Sequence, residues 1–154
     1  MAARSEFIIP AEIPGQPTLD QPQRLRTVVV DDSETFLEVT CDLLDMEDVI
    51  QLVAAASDGV DAVDTVMRLK PDLVVMDVNM PGLDGLTAAS LLSEMFPAPA
   101  VMLMSAEDSP RLRAAAVEAG VFAFIHKPNF RDEFEVALNR LLQVRKRMHA
   151  EKTA

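Results

Sequence analysis

Five short apolar runs, each followed by a helix-like amphipathic stretch, constrain this chain more than any other feature. They read RTVVVD (26–31), VIQLVAAAS (49–57), LVVMD (73–77), AVMLMS (100–105) and VFAFIH (121–126). Strands that alternate with helices along a chain pair side by side in one direction, because each helix carries the chain back to the start of the next strand. The pattern therefore predicts an α/β domain with a doubly wound, five-stranded parallel sheet and helices on both faces. Helix ends agree with it. Ser109 before Pro110 reads as an N-cap with proline at the first helical position, and Asp84 reads as a cap before Gly85. The last helix is expected to open at Asn129 and to close on Arg145, Lys146 and Arg147, whose charges suit a helix C-terminus. Its Phe130, Phe134, Ala137, Leu138, Leu141 and Leu142 recur every three or four residues and should face the sheet.

The residues at the strand ends are the second constraint. The first run ends in Asp31-Asp32, the third in Asp77 and the fourth in Ser105, and the fifth is followed by Lys127-Pro128. In a parallel sheet all of these ends lie on one edge, where ligands bind at the point of reversal in strand order. Three carboxylates gathered there repel one another, at a cost on the order of 4 kcal/mol for a pair 4 Å apart at an effective dielectric of 20. The single ammonium of Lys127 is too little to offset that, so a hard divalent cation such as Mg²⁺ is expected. With a cation beside it, Asp77 could act as a nucleophile toward a phosphoryl group, while Ser105 and Lys127 bind phosphoryl oxygens. Each residue alone has a duller reading. Asp31 and Asp32 could cap a helix, Asp77 could be a loop acid, Ser105 a turn residue and Lys127 a solvated side chain. Their convergence is what favours chemistry.

Composition narrows the classes further. A formal net charge of −11 repels nucleic-acid phosphates and favours cations and basic partners, so no direct nucleic-acid binding is expected. One cysteine, Cys41, permits no intrachain disulfide and reads as helix packing, which suits a reducing, cytoplasmic setting. No apolar run approaches the ~18 residues of a membrane span, and the start, MAARSEFIIP, reads as no secretory signal. Residues 1–24, with Pro10, Pro14, Pro17 and Pro22, read as an extended tail, residues 25–149 as the folded domain and residues 150–154 as a short C-terminal tail.

The segments VVVDD (28–32), LVVMDVNMPGLDG (73–85), MSAED (104–108) and GVFAFIHKP (120–128) together resemble the receiver domain of bacterial two-component response regulators, over about residues 25 to 147. The resemblance implies a flavodoxin-like strand order of 2-1-3-4-5. It also implies that Asp77 is the phosphoacceptor, and that Mg²⁺ is held by Asp31, Asp32, Asp77 and the backbone carbonyl of Asn79. A cis Lys127-Pro128 bond is implied as well. A switch is implied in which Ser105 moves toward the phosphate and Phe124 turns inward, reshaping the face of the fourth helix, fifth strand and fifth helix. Phe124 stands where many relatives carry Tyr, and the chain has no Tyr. Asn79 and Glu107 would tune hydrolysis by orienting a water, giving a phosphoryl state that lasts seconds to minutes.

On this reading the chain is a signalling phosphoacceptor, a stand-alone receiver or one cut from a larger regulator, rather than an enzyme. It takes its phosphoryl group from a sensor histidine kinase or phosphotransfer protein and acts on a protein target as a monomer or weak dimer. Two alternatives are an aspartate-nucleophile phosphatase, disfavoured because Asn79 stands where such enzymes carry a second Asp, and a pseudo-receiver that binds partners without phosphorylation.

Overall fold

The computed structural model describes residues 23–153. Most of the predicted tail, residues 1–22, and the final residue 154 lie outside the described residues. The elements follow in strict alternation: β1 (Leu25–Val30), α1 (Glu34–Asp45), β2 (Ile50–Ala56), α2 (Gly59–Leu69), β3 (Leu73–Asp77), α3 (Gly85–Ser93), β4 (Ala100–Ser105), α4 (Pro110–Glu118), β5 (Ala123–His126) and α5 (Phe130–Thr153). The five strands form one sheet in the order β2-β1-β3-β4-β5, and every pair is parallel. The fold is the doubly wound parallel sheet expected from the alternation, in the strand order that the resemblance implied. Strand order reverses between β1 and β3, so the tips of those two strands border the crevice.

Period-two alternation divides the core between the two faces of the sheet. Val28, Val30, Val74, Met76, Val101 and Leu103 point to the side covered by α2, α3 and α4, where Ala62, Val66, Ala88, Leu92 and Ala116 meet them. Val29, Leu73, Val75, Met102, Met104 and Ile125 point to the other side and pack with Leu44 of α1 and Phe130, Phe134, Ala137, Leu138 and Leu141 of α5. All of β3 is buried, which explains why LVVM is unbroken hydrophobic sequence. Burying a Val, Leu or Met side chain contributes roughly 1.5–3 kcal/mol, so the central strands anchor the domain.

Side chains cap four of the helices. Ser33, Asp58, Asp84 and Ser109 accept from the backbone N–H groups of Phe36, Asp61, Thr87 and Leu112. Asp84 and Ser109 are the predicted caps, and Pro110 opens α4. The last helix begins at Phe130, directly after the expected Asn129, with Lys127–Asn129 forming a 3-10 turn that leads into it, but it departs from expectation at its other end. It then continues to Thr153, through residues expected to be a tail, because no Gly or Pro interrupts it and Ala150, Glu151 and Lys152 are good helix formers. Cys41 is a free thiol, partly buried in α1 against the core. Among the described residues no helix is long and apolar enough to cross a membrane.

Two glycines let helices approach the tip of β3 closely. A Cβ on Gly85 would lie 2.2 Å from the carbonyl oxygen of Asp77, and one on Gly59 would lie 2.0 Å from that of Leu83. Backbone cannot yield as a flexible side chain can. Gly85→Ala should therefore lower the unfolding free energy by about 1–3 kcal/mol, the usual cost of overpacking, as read by urea denaturation. A variant as stable as the parent would show that α3 can withdraw from the strand.

Candidate functional site

Backbone geometry brings the predicted groups to one edge. Asp31 leaves β1 with its N–H bonded to Ala56 at 3.1 Å, and its side chain is 0% exposed. Asp77 ends β3 at 4% exposure, and Ser105 ends β4 at 0%. Pairing of Asp77 with Met104 sets Ser105 one residue past it on the next strand. Asp32 is exposed, as are Asn79 and Glu107.

Lys127 joins the two buried acids. Its Nζ lies 2.9 Å from Asp31 Oδ2 and donates to Asp77 Oδ2 at 3.1 Å, with the side chain only 14% exposed. Asp31 Oδ1 accepts from the Ser33 N–H at 2.9 Å, and Asp77 Oδ1 from the Asn79 N–H at 3.3 Å. The contact between Lys127 and Asp31 is an ion pair without hydrogen-bond alignment, so Asp31 Oδ2 is a buried oxygen lacking a hydrogen-bond partner. Phe36, on the first turn of α1, lies 4.2 Å from the ammonium measured at its ring centre, and that ring meets Phe130 edge-on. Nothing in the local sequence distinguishes Phe36 from an ordinary core aromatic. Its role comes from where α1 lands.

Burial pushes the Asp77 carboxyl above its ordinary value. The Lys127 ammonium and the Asn79 N–H pull the other way, and the Asp31 charge adds to the rise. Burial works against the Lys127 cation too, but its pairing with the carboxylates of Asp31 and Asp77 leaves it raised.

One oxygen from each of Asp31, Asp32 and Asp77 lies within 4.8 Å of the others. That spacing suits oxygen ligands about one small cation, for which Mg–O distances are about 2.0–2.1 Å. Lys127 alone leaves this group of acids negative, and Asp31 Oδ2 still lacks a donor. The residues present therefore fit a hard divalent ion. Ser105 Oγ accepts from the Glu107 N–H at 3.0 Å, which leaves the hydroxyl proton to be aimed by rotation. Phe124 stands apart from the acids, partly buried on β5, in a groove of about 590 Å³ between α4, β5 and α5. Arg113 covers its ring, a contact that the sequence did not disclose.

The Lys127-Pro128 bond is not cis. The only cis peptide among the described residues is Phe96-Pro97. A trans Pro128 suits the 3-10 turn that leads directly into α5, because a helical turn is built from trans peptide units and the locked φ of proline fits its start.

The paired charges make a stability prediction. Lys127→Ala leaves Asp31 and Asp77 buried without their counter-ion and should cost about 3 kcal/mol at neutral pH. An Asp whose folded pKa is raised carries its penalty above that pKa and sheds it as the pH falls through it. The deficit should therefore shrink in mildly acidic buffer. Urea denaturation at the two pH values measures it; a deficit that does not change with pH would place its origin in lost packing.

Residues 27–139 match the family described as response regulator receiver domain. A protein-glutamate methylesterase/protein-glutamine glutaminase from Methanococcoides burtonii is 35% identical over 119 residues, 77% of this chain and 34% of that protein. The response regulator domain of Thermotoga maritima CheB superposes with a TM-score of 0.67 at 32% identity, over 82% of this chain and 98% of that one. The signal receiver domain of NarL from Mycobacterium tuberculosis gives a TM-score of 0.72 at 30% identity, over 78% and 98%. This chain spans about a third of the length of the curated relatives it matches. Those relatives overturn the expectation of a protein that is no enzyme: they carry this domain and are named as enzymes. With the sheet order, the edge chemistry and the match over residues 27–139 in agreement, the chain belongs to the response regulator receiver domain family.

Proposed function

We propose that this domain accepts a phosphoryl group on Asp77 and uses it to alter a protein-binding face. The observation that carries the reading is the buried Asp77, bonded through one oxygen to Lys127 and through the other to the Asn79 N–H, beside Asp31 and Asp32. In this reading Asp31, Asp32, Asp77 and the Asn79 carbonyl hold Mg²⁺, which when bound draws negative charge from the incoming phosphoryl oxygens. A carboxylate oxygen of Asp77 forms the new bond to phosphorus as the bond to the donor's leaving group breaks. Lys127 exchanges its bond to Asp77 for one to a phosphoryl oxygen, and Ser105 donates its hydroxyl proton to another. The added charge of about −1.5 to −2 then favours whichever arrangement of Ser105, Lys127 and Phe124 meets it best.

The donor in this reading is a sensor histidine kinase or phosphotransfer protein in the cytoplasm. The target binds at the face of α4, β5 and α5, and the domain works as a monomer or weak dimer. The hydrolytic activity in the relatives' names is carried over only as a kind of output that such a domain can govern.

Intact-mass measurement with acetyl phosphate and Mg²⁺ tests the central step. The parent should gain one acid-labile phosphoryl group, whereas Asp77→Asn and Mg²⁺-depleted samples should gain almost none. Equal labelling of Asp77→Asn would move the acceptor elsewhere, and catalytic turnover of a phosphate ester would favour a phosphatase.

In this reading the exposed Asn79 and Glu107 supply an amide and a carboxylate that orient water toward the phosphoryl group. The phosphoryl group should decay within seconds to minutes in Mg²⁺ buffer. Asn79→Ala and Glu107→Ala should each change that lifetime by a few-fold, and identical decay in all three proteins would remove both residues from the hydrolysis step.

A further inference from the structure

Arg113, on the second turn of α4, touches three separate elements. Its guanidinium forks onto Asp108 in the loop after β4, with Nε to Oδ1 at 2.6 Å and Nη2 to Oδ2 at 3.0 Å. The same group lies 4.9 Å from the centre of the Phe124 ring on β5, and its Nη2 is 3.8 Å from Glu133 Oε1 on α5. Glu133 Oε2 is buried without a hydrogen-bond partner, so the arginine charge partly offsets it. Each residue of the loop is tied in turn. His126 Nε2–H donates to the Ala106 carbonyl at 3.0 Å, the Glu107 N–H donates to Ser105 Oγ at 3.0 Å, and Asp108 is held by Arg113.

We propose that Arg113 is a positioning residue that couples the Phe124 ring to the loop bearing Glu107, and so opposes the rearrangement that phosphorylation requires. The inference rests on the phosphoacceptor reading for its consequence, though not for its geometry. If the ring leaves the groove, Arg113 loses a cation–π contact. If the loop shifts toward the acids, the fork on Asp108 must open. Ser105 cannot swing its hydroxyl about Cα–Cβ without releasing the Glu107 N–H, so loop and hydroxyl move together. Because one guanidinium makes both contacts, breaking either weakens its hold on the other. Lysine could keep the charge but could not reproduce the planar fork and the stack together.

The test uses the chain labelled with 4-fluorophenylalanine, with the Phe124 signal assigned through Phe124→Leu. In Arg113→Ala the Phe124 ¹⁹F resonance should move toward a second environment. The initial rate of labelling by acetyl phosphate and Mg²⁺ should rise roughly three- to ten-fold, the bias expected when contacts of this class are removed. Arg113→Lys should fall between Arg113→Ala and the parent, and Asp108→Asn should raise the rate by freeing the loop. An unchanged Phe124 resonance together with parental rates in folded Arg113→Ala and Asp108→Asn would overturn the coupling. A Phe124 shift in a protein that takes up no phosphoryl group would support the positioning role and overturn the phosphoacceptor reading alone.

Discussion

Two carboxylates buried on adjacent strands share one ammonium, and the rest of the site is arranged about that fact. Asp31 and Asp77 sit at the tips of β1 and β3, and Lys127 reaches both from the end of β5. Neither acid is exposed enough for water to carry its charge, so the lysine must stay close, and Phe36 and the 3-10 turn keep it there. The arrangement compensates the charge only in part. The oxygen of Asp31 left without a hydrogen-bond donor, and the third acid at Asp32, express the remainder. A site that is stable but electrostatically unfinished is suited to capturing a cation and then a group whose charge the cation and lysine can share.

The scaffold makes this tolerable because it is rigid beneath the site. β3 is buried along its whole length, and both faces of the sheet are covered by helices. Gly59 and Gly85 let α2 and α3 approach the loop after Asp77 more closely than any side chain would permit. Farther out, the loop after β4 is held by polar contacts rather than by apolar burial, and Ala106, Glu107 and Asp108 are all exposed. Polar contacts at a surface are individually modest. The acids are therefore enclosed by the core, whereas the loop beside Ser105 lies at the surface.

The fold and the polar groups at the strand ends were legible because their signals are local. Alternating apolar runs reveal strands, Ser and Asp before helical segments reveal caps, and acids that end buried strands reveal an edge where charge collects. Two readings of backbone detail failed. Lys127-Pro128 is trans because it starts a helical turn, and α5 continues to Thr153 because no breaking residue stops it. The expectation that the protein is no enzyme is overturned by relatives that carry this domain and are named as enzymes.

By itself, the order of amino acids determined the alternation of strands and helices, their boundaries within a few residues, and the chemical groups at each strand tip. Those properties follow from backbone periodicity and from side chains close along the chain. Only the tertiary structure decided that Lys127 bridges Asp31 and Asp77, that Phe36 lies beside it, and that Arg113 joins Asp108 to Phe124. Lys127 and Asp77 are 50 residues apart, and their distance in space depends on strand order and helix placement, which no local pattern encodes.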